Sequence, residues 1–272
     1  MSGMTHPGDE RILRRLSPGD ADPILVVDFQ AMSMAPRLSE MLSERIPSRA
    51  VFQIDPIGVL SGQRLYVPLP KLAAACASEL SSAGAAHGHV LVIGHCSAAP
   101  LALGVANLLA PARGVTAVLV NPTWPDDAHV AAKFTEFLGK FGPATRPAPD
   151  LDADPVQVVS AMEQVFKDEI TALATSRGLS SSAGAFSDLI LWYRAWLAFL
   201  LAGRNDKRAA GRAAVTVLSD SPSTLEVPGL SRDAYPVREL APQPVGRVTP
   251  ELAEMVADHV VGLRTAGAET TA

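Results

Sequence analysis

The sequence predicts an α/β fold built on a mostly parallel sheet with helices on its faces. The first observation is that short apolar runs, typical of buried strands, alternate with segments of helical apolar spacing between residues 23 and 122. The second is that residues 90–110 combine a buried strand, a tight turn and a helix. The third is size, because 272 residues, 48% of them hydrophobic, suffice for one large α/β domain or two small ones.

The elements of the first half follow one another in strand–helix order after a polar lead-in, residues 1–22. Residues 23–30 form a continuous apolar run that ends abruptly, as buried parallel strands do. Each predicted helix repeats apolar residues at helical spacing or follows a tight turn. The strands are predicted at 23–30, at 49–58, at the start of 90–110 and at 114–122, and the helices at 35–46, at 68–84 and after the turn up to residue 110.

The second half begins with an insertion and then returns to the sheet. Residues 124–205 contain three amphipathic segments that predict helices, AAKFTEFLGKFG, VQVVSAMEQVFKDEITALATS and FSDLILWYRAWLAFLLAG. We interpret residues 1–272 as a single domain with a helical lid insertion at about 124–205. Strands at 213–222 and 234–240 and a helix at 249–267, with Thr249 as its N-cap, complete the prediction.

Composition excludes several classes of function. The net charge is −5 and no basic run is longer than Arg14-Arg15, so nucleic acid is not an expected partner. Arg194 interrupts the longest apolar runs and the first residues show no signal-peptide core, so we expect a soluble, cytoplasmic protein with no membrane partner. Cys76 lies in a helical run and is expected to be buried. No metal-ligand spacing and no glycine-rich phosphate motif occurs, so we expect no metal and no cofactor.

The turn Gly94-His95-Cys96-Ser97-Ala98 carries the chemistry. It is close to the G-x-S-x-G nucleophile elbow, with cysteine in place of serine and alanine in place of the second glycine. Such a strained turn lifts one side chain out of the sheet, next to the N–H of the following residue and a helix N-terminus. That setting favours a thiolate, which is more nucleophilic than an unassisted hydroxyl. Cys96 is therefore the candidate nucleophile, and Ser97 offers an oxyanion donor through its backbone N–H.

A family resemblance covers most of the chain. The carrying stretches are ILVVDFQAMSMAPRLSEML, VFQIDPIG, LPKLAAACASEL, VLVIGHCSAAPLALGVANLL, VTAVLVNP, WYRAWLAFL and VTVLSDSP. In this order they resemble free-standing, type II-like thioesterases of polyketide and nonribosomal peptide biosynthesis, which belong to the α/β-hydrolase superfamily. The resemblance implies the α/β-hydrolase fold and an acyl or peptidyl substrate held as a thioester on a phosphopantetheinyl carrier protein. That carrier protein would be the partner, and the chain would need no cofactor of its own.

The same resemblance places a degenerate triad. The nucleophile falls on Cys96, the acid on Asn121 and the histidine on Pro244, and no histidine occurs between His129 and His259. Parallel strand ends meet at one edge, so Cys96 and Asn121 are expected to be neighbours. An asparagine orients the histidine in some cysteine enzymes, so Asn121 is a candidate to orient a partner group by hydrogen bonding.

The remaining site residues lie in the loop after the first strand and in the insertion. The loop lacks the family's glycines, and Gln30 or Ala31 is expected to give the second oxyanion donor. Met32 and the three tryptophans, Trp124, Trp192 and Trp196, are the candidate pocket residues, although tryptophans of an insertion also simply pack helix against helix.

Several histidines compete for the role of base. His129 with Asp126 or Asp127 would reach Cys96 from the insertion, or else His129 faces solvent at a helix start. His95 is expected to pack under the turn, and His259 is expected on the surface of the last helix.

Three functions follow from these residues. The first is a thioesterase-like acyltransferase, cyclase or hydrolase acting through Cys96. Its hydrolysis is expected to be slow, because loss of a general base costs about 10²–10⁴-fold in rate. The second is a catalytically degenerate thioesterase-like protein that binds a carrier protein or a product. The third is a catalyst of a pericyclic or proton-transfer step that forms no acyl-enzyme.

Overall fold

The computed structural model describes residues 11–29, 37–62, 64–83, 88–142, 146–177, 186–206, 211–222, 225–242 and 247–269, with side chains up to 263. The chain divides into two compact units. The sheet unit holds the described residues of 12–55, 72–123 and 208–272, and the helical unit holds those of 56–71 and 124–207 together with Arg11.

The sheet unit is built on a seven-stranded sheet in the order β1-β3-β2-β4-β5-β6-β7. β1 is antiparallel to β3, and the other neighbouring strands are parallel. The mostly parallel α/β sheet predicted from the sequence is therefore confirmed. The strands are β1 (Leu13–Arg15), β2 (Ala21–Val27), β3 (Arg49–Ile54), β4 (Val90–His95), β5 (Val115–Val120), β6 (Ala214–Ser219) and β7 (Val237–Glu239).

Helices lie between most of the strands of the described chain. They are α1 (Leu38–Arg45), α2 (Pro56–Ser61), α3 (Leu69–Ser82), α4 (Ala99–Leu109), α5 (Asp127–Leu138), α6 (Pro155–Ser176), α7 (Ser187–Asn205) and α8 (Pro250–Glu269). Each predicted helix is present, with bounds that differ by a few residues. Thr249 caps α8 as predicted, since its Oγ1 accepts the N–H of Leu252 at 3.2 Å.

The two faces of the sheet carry different helices. Apolar residues of α1 and α8 form one core with alternate residues of the strands, among them Ile24, Val26, Leu91 and Ile93. Gly94 follows Ile93 and faces α4, so α4 covers the opposite face. Both faces are thus buried, which explains why the strands are continuous apolar runs.

Two short elements depart from the prediction. Residues 13–15 were expected in a polar lead-in, but Leu13 is buried and pairs with Ile54 as the edge strand β1. The predicted strand at 49–58 is too long, because Pro56 begins α2 after Ile54 ends β3. Proline is favoured in the first turn of a helix, where its missing N–H is not needed. Both elements are too short for their residues to show a periodic pattern.

The helical unit has its own buried core and its own polar connections. Phe137 stacks on Tyr193 with ring centroids 4.3 Å apart, and Phe134 and Phe166 lie 5.4 Å apart. The buried Arg194 donates to the carbonyl oxygens of residues 60, 61 and 62 at 3.0, 3.2 and 2.9 Å and to Glu163 at 3.2 Å. The guanidinium therefore satisfies carbonyls at the end of α2 that have no partner within that helix.

The insertion contains a helix in each of its three predicted segments, α5, α6 and α7. Its action as a lid stays a prediction. No helix of the described residues is both long enough and apolar enough to cross a membrane.

Candidate active site

The turn after β4 has the backbone of a nucleophile elbow. Cys96 is the first residue after the strand and has a φ of +52°. Residues with a Cβ rarely adopt this left-handed conformation, and such strain is found at functional sites. A single 3-10 turn, Cys96–Ala98, leads directly into α4. The backbone thus presents Cys96 at the carboxyl end of the sheet and at the start of a helix.

Gly94 makes this turn possible. A Cβ on Gly94 would lie 2.6 Å from the Cβ of Ala102, 3.0 Å from the Cα of Ala99 and 3.1 Å from the carbonyl oxygen of Ala98. Two of these atoms belong to the backbone and cannot move aside. The first glycine of the motif is therefore required by close packing of β4 against α4. Ala98 occupies the second glycine position with a φ of −79°, which suits alanine.

The Cys96 thiol contacts hydroxyl groups. In the described part of the chain, its Sγ lies 3.6 Å from Oγ1 of Thr123 and 3.8 Å from Oγ of Ser97. The N–H of Thr123 also donates to the carbonyl oxygen of Cys96 at 3.2 Å. Cys96 is half-buried, whereas Cys76 is buried in α3, where desolvation raises the pKa of its thiol well above the ordinary range. The two cysteines therefore differ in access to solvent, and Cys96 is the accessible one.

The predicted oxyanion donors are only partly within the described residues. Ser97 follows Cys96 in the 3-10 turn, where the elbow motif places the first donor, and it is buried. Gln30, Ala31 and Met32 lie outside the described residues, as does Pro244. Their assigned roles stay predictions.

Asn121 and Asp220 bind each other across the ends of β5 and β6. Nδ2 of Asn121 donates to Oδ2 of Asp220 at 3.4 Å, and the N–H of Asp220 donates to Oδ1 of Asn121 at 2.9 Å. The N–H of Asn121 donates to the carbonyl oxygen of Leu218 at 2.8 Å. Asn121 has a φ of +42°, a conformation that asparagine adopts more readily than most residues. We call this pair the strand-end bracket, because it ties the two strand ends together.

Asp28 was not among the predicted site residues. It follows β2 directly, and Val27 pairs with Gly94, so Asp28 lies one strand away from the elbow. Its Oδ2 accepts the N–H of Ser39 near the start of α1 at 3.0 Å. Desolvation raises the pKa of Asp28 to about 6 in spite of that hydrogen bond. The signal for it in the sequence is that the apolar run ILVV ends at Val27 and Asp28 is the first polar residue after it.

Desolvation lowers the pKa of every histidine that the structure describes. Desolvation lowers the pKa of His95 to about 4. His259 was expected on the surface, which is wrong, since it is 5% exposed in α8 and burial lowers its pKa. In His129 desolvation, followed by the charge of Lys133, outweighs Asp126 and lowers the pKa. In the part of the chain that the structure describes, no group of three His, Cys, Asp or Glu residues is arranged to hold a metal ion.

Asp126 and the tryptophans belong to the helical unit. Oδ1 of Asp126 accepts the backbone N–H of His129 at 2.7 Å, so this carboxylate caps α5. The bond is made by the backbone of His129, so the Asp126 carboxylate does not orient the imidazole ring through it. Trp192 and Trp196 lie on α7, Trp124 precedes α5, and all three are half-buried. Their role as pocket residues stays a prediction.

No known protein-family model and no curated protein matches the chain. Solved structures do match it. A four-domain nonribosomal peptide synthetase in its holo form, bound to AMP and glycine, matches with a TM-score of 0.64 at 16% identity over 93% of this chain. The bottromycin epimerase BotH in complex with bottromycin A2 matches with a TM-score of 0.55 at 16% identity over 92% of this chain and 94% of its own.

A third match is the NocB thioesterase domain in covalent complex with a fluorophosphonate nocardicin G analogue. Its TM-score is 0.53 at 15% identity, over 92% of this chain and 97% of that domain. The chain spans 20% of the length of the synthetase. At these identities the likeness shows the fold alone, which is the α/β-hydrolase fold of thioesterase domains.

Proposed function

We propose that this protein transfers an acyl or peptidyl group from a carrier-protein thioester through a covalent intermediate on Cys96, in natural-product biosynthesis. The observation that supports it best is the half-buried Cys96 with a φ of +52° at the end of β4 and the start of a helix. The likeness in fold to the NocB thioesterase domain adds support for the class of substrate. An acyl or peptidyl carrier protein is the proposed partner, and the reaction as proposed uses no cofactor of the chain itself.

The proposed first step is thiol–thioester exchange. The Cys96 thiolate attacks the thioester carbonyl, a new carbon–sulfur bond forms and the carrier's thiolate leaves, taking up the proton that Cys96 lost. The backbone N–H of Ser97 and one from Gln30 or Ala31 would hold the developing oxyanion. Because one thioester replaces another, this step needs no water and is close to balanced in free energy.

The proposed second step is attack by an acceptor other than water. The described contacts of the Cys96 thiol are hydroxyl groups, and Asn121 is bonded to Asp220. Water needs a general base, whose loss typically costs about 10²–10⁴-fold. An amine attacks without one, forms an amide and returns the Cys96 thiol. A thiol acceptor, or a nucleophile of the acyl chain itself in cyclisation, completes the same cycle. Met32, Trp124, Trp192 and Trp196 are proposed to contact the acyl chain.

The proposal is tested by comparing products. The protein is incubated with an S-octanoyl pantetheine thioester alone and with added glycine methyl ester, and amide and free acid are measured by chromatography. We expect the amide to exceed the acid and Cys96→Ala to lose the enzymatic amide. Cys76→Ala is the matched control, since Cys76 is buried in α3, and it is expected to behave as wild type. Equal amide formation by wild type and Cys96→Ala would contradict the proposal.

A second candidate function is that of a binding protein for a carrier or a product. The strand-end bracket favours it, because the residue at the family's acid position forms a bond between strand ends. The likeness in fold to BotH, whose structure holds bottromycin A2, adds support for a binding role. Binding of a carrier protein that is unchanged in Cys96→Ala, together with absence of any covalent intermediate in wild type, would support this candidate over the first.

A further inference from the structure

Thr123 lies at the thiol of Cys96 although it is distant in sequence. It is attached at two points, through its N–H to the carbonyl oxygen of Cys96 at 3.2 Å and through Oγ1 to Sγ at 3.6 Å. The first contact fixes the backbone of residue 123 against the elbow. The second contact places the hydroxyl group of Thr123 against the sulfur. The side chain of Thr123 is therefore positioned by a contact at its backbone and by a contact at its hydroxyl.

The turn that brings Thr123 there is itself constrained. Asn121 adopts a left-handed conformation directly before Pro122, although a residue before proline is restricted to extended backbone in most cases. Three hydrogen bonds to residues of β6 and its end compensate for that strain, one to Leu218 and two within the strand-end bracket with Asp220. The bracket thus determines the direction in which the chain leaves β5.

We propose that Thr123 is a positioning residue for Cys96, whose hydroxyl donates a hydrogen bond to the sulfur anion, and that the Asn121–Asp220 bracket holds Thr123 in place. A hydroxyl stabilises the anion and fixes its rotamer, but it has little capacity to remove a proton from water. The inference rests on the proposed function for its role in acyl transfer. Its effect on the thiol itself exists whether or not the protein transfers acyl groups.

The experiment measures the rate of alkylation of Cys96 by iodoacetamide at pH 7 in full-length variants, with peptide mass mapping to separate Cys96 from Cys76. Thr123→Val keeps the shape and the backbone N–H and removes the hydroxyl. A hydrogen bond to an anion is worth more than one between neutral groups, but part of the lost thiolate is offset by higher nucleophilicity. We therefore expect alkylation about three- to tenfold slower in Thr123→Val.

Two further variants make the result specific. Thr123→Ser restores a hydroxyl and is expected to recover the wild-type rate to within about twofold. Thr116→Val makes the same substitution on β5 at a threonine bonded to His89, and it is expected to leave the rate unchanged. Thermal melting of each variant confirms that it is folded.

The outcomes separate this inference from the proposed function. A Thr123→Val rate equal to wild type, or slowing that Thr123→Ser fails to reverse, overturns the role of the hydroxyl. Slowed alkylation that serine restores, in a protein that never forms an acyl-enzyme, supports the role of Thr123 and rejects acyl transfer instead.

Discussion

The turns at Cys96 and Asn121 have similar backbone conformations and opposite uses of the side chain. Their φ values are +52° and +42°, and among the described residues they are the non-glycine residues with positive φ. The side chain of Asn121 forms two hydrogen bonds with Asp220. The thiol of Cys96 is half-buried and, among the described residues, contacts the hydroxyl groups of Ser97 and Thr123.

At the same edge of the sheet, the side chain of Asn121 stabilises a turn, whereas the side chain of Cys96 is available to react. At the end of β5, hydrogen bonds of the Asn121 side chain compensate for the strain in its backbone, so this side chain has a structural role. At β4 the strain is compensated by packing of Gly94 against α4 and by the bond from Thr123, so the side chain of Cys96 is left for chemistry.

The largest expected effect comes from removing the packing that supports the elbow. Gly94→Ala places a Cβ against two backbone atoms within 3.1 Å. We expect a loss of about 3 kcal/mol in the free energy of unfolding, measured by urea denaturation, because overpacking against backbone is not relieved by a rotamer change. Gly58→Ala is the control, since a Cβ added to Gly58 would have no neighbouring atom within 4 Å, and it should not destabilise. Similar losses in both variants would contradict this account of the elbow.

The next effect comes from the strand-end bracket. Asn121→Asp exchanges the Nδ2 donor for an oxygen that faces Oδ2 of Asp220. At pH 7 we expect a loss of about 2 kcal/mol in the free energy of unfolding from the lost hydrogen bond and the repulsion of two carboxylates. An Asn121→Asp variant as stable as wild type at pH 7 would show that the bracket does not stabilise the strand ends.

The third prediction concerns the pH dependence of stability and Asp28, which lies at the end of β2. Because the pKa of Asp28 is raised to about 6, the folded state binds a proton more tightly than the unfolded state between about pH 4 and 6. Wild-type stability therefore loses this contribution as pH rises through that window. Asp28→Asn keeps an acceptor for Ser39 and removes the charge, so we expect its stability relative to wild type to rise from near zero at pH 3 toward an upper limit of about 3 kcal/mol at pH 7.

The difference between Asp28→Asn and wild type is the quantity to measure, by urea denaturation at each pH. His95 and His259, whose pKa values are lowered, contribute the opposite slope in both proteins and cancel in the difference. A stability difference that does not change with pH would show that burial does not perturb this carboxyl.

The sequence predicted most of the fold because the apolar patterns of buried parallel strands and amphipathic helices extend over many residues. A single polar residue within such a pattern does not remove it. It missed β1 and α2, which have three and six residues and therefore no measurable period. It placed His259 on the surface because a polar residue in a helix is usually exposed, whereas in α8 it lies within the buried face.

The sequence predicted the site residues that lie at the ends of strands, but not the contacts between them. The elbow motif identified Cys96, and the family resemblance placed the acid position on Asn121, which directly follows the apolar run AVLV. The contact of Thr123 with Cys96 joins residues 27 apart, and the strand-end bracket joins residues 99 apart. Both contacts depend on turn conformations that no local pattern specifies, so the partner of the thiol emerged only from the structure.

The most direct test of the central claim is intact-protein mass spectrometry after brief exposure to an S-octanoyl thioester of a phosphopantetheinyl carrier protein. Wild type is expected to gain one octanoyl group, mapped to Cys96, and Cys76→Ala is expected to gain it equally, whereas Cys96→Ala is expected to gain none. A wild-type protein that stays unmodified under conditions in which iodoacetamide labels Cys96 would contradict the claim that the elbow cysteine accepts acyl groups.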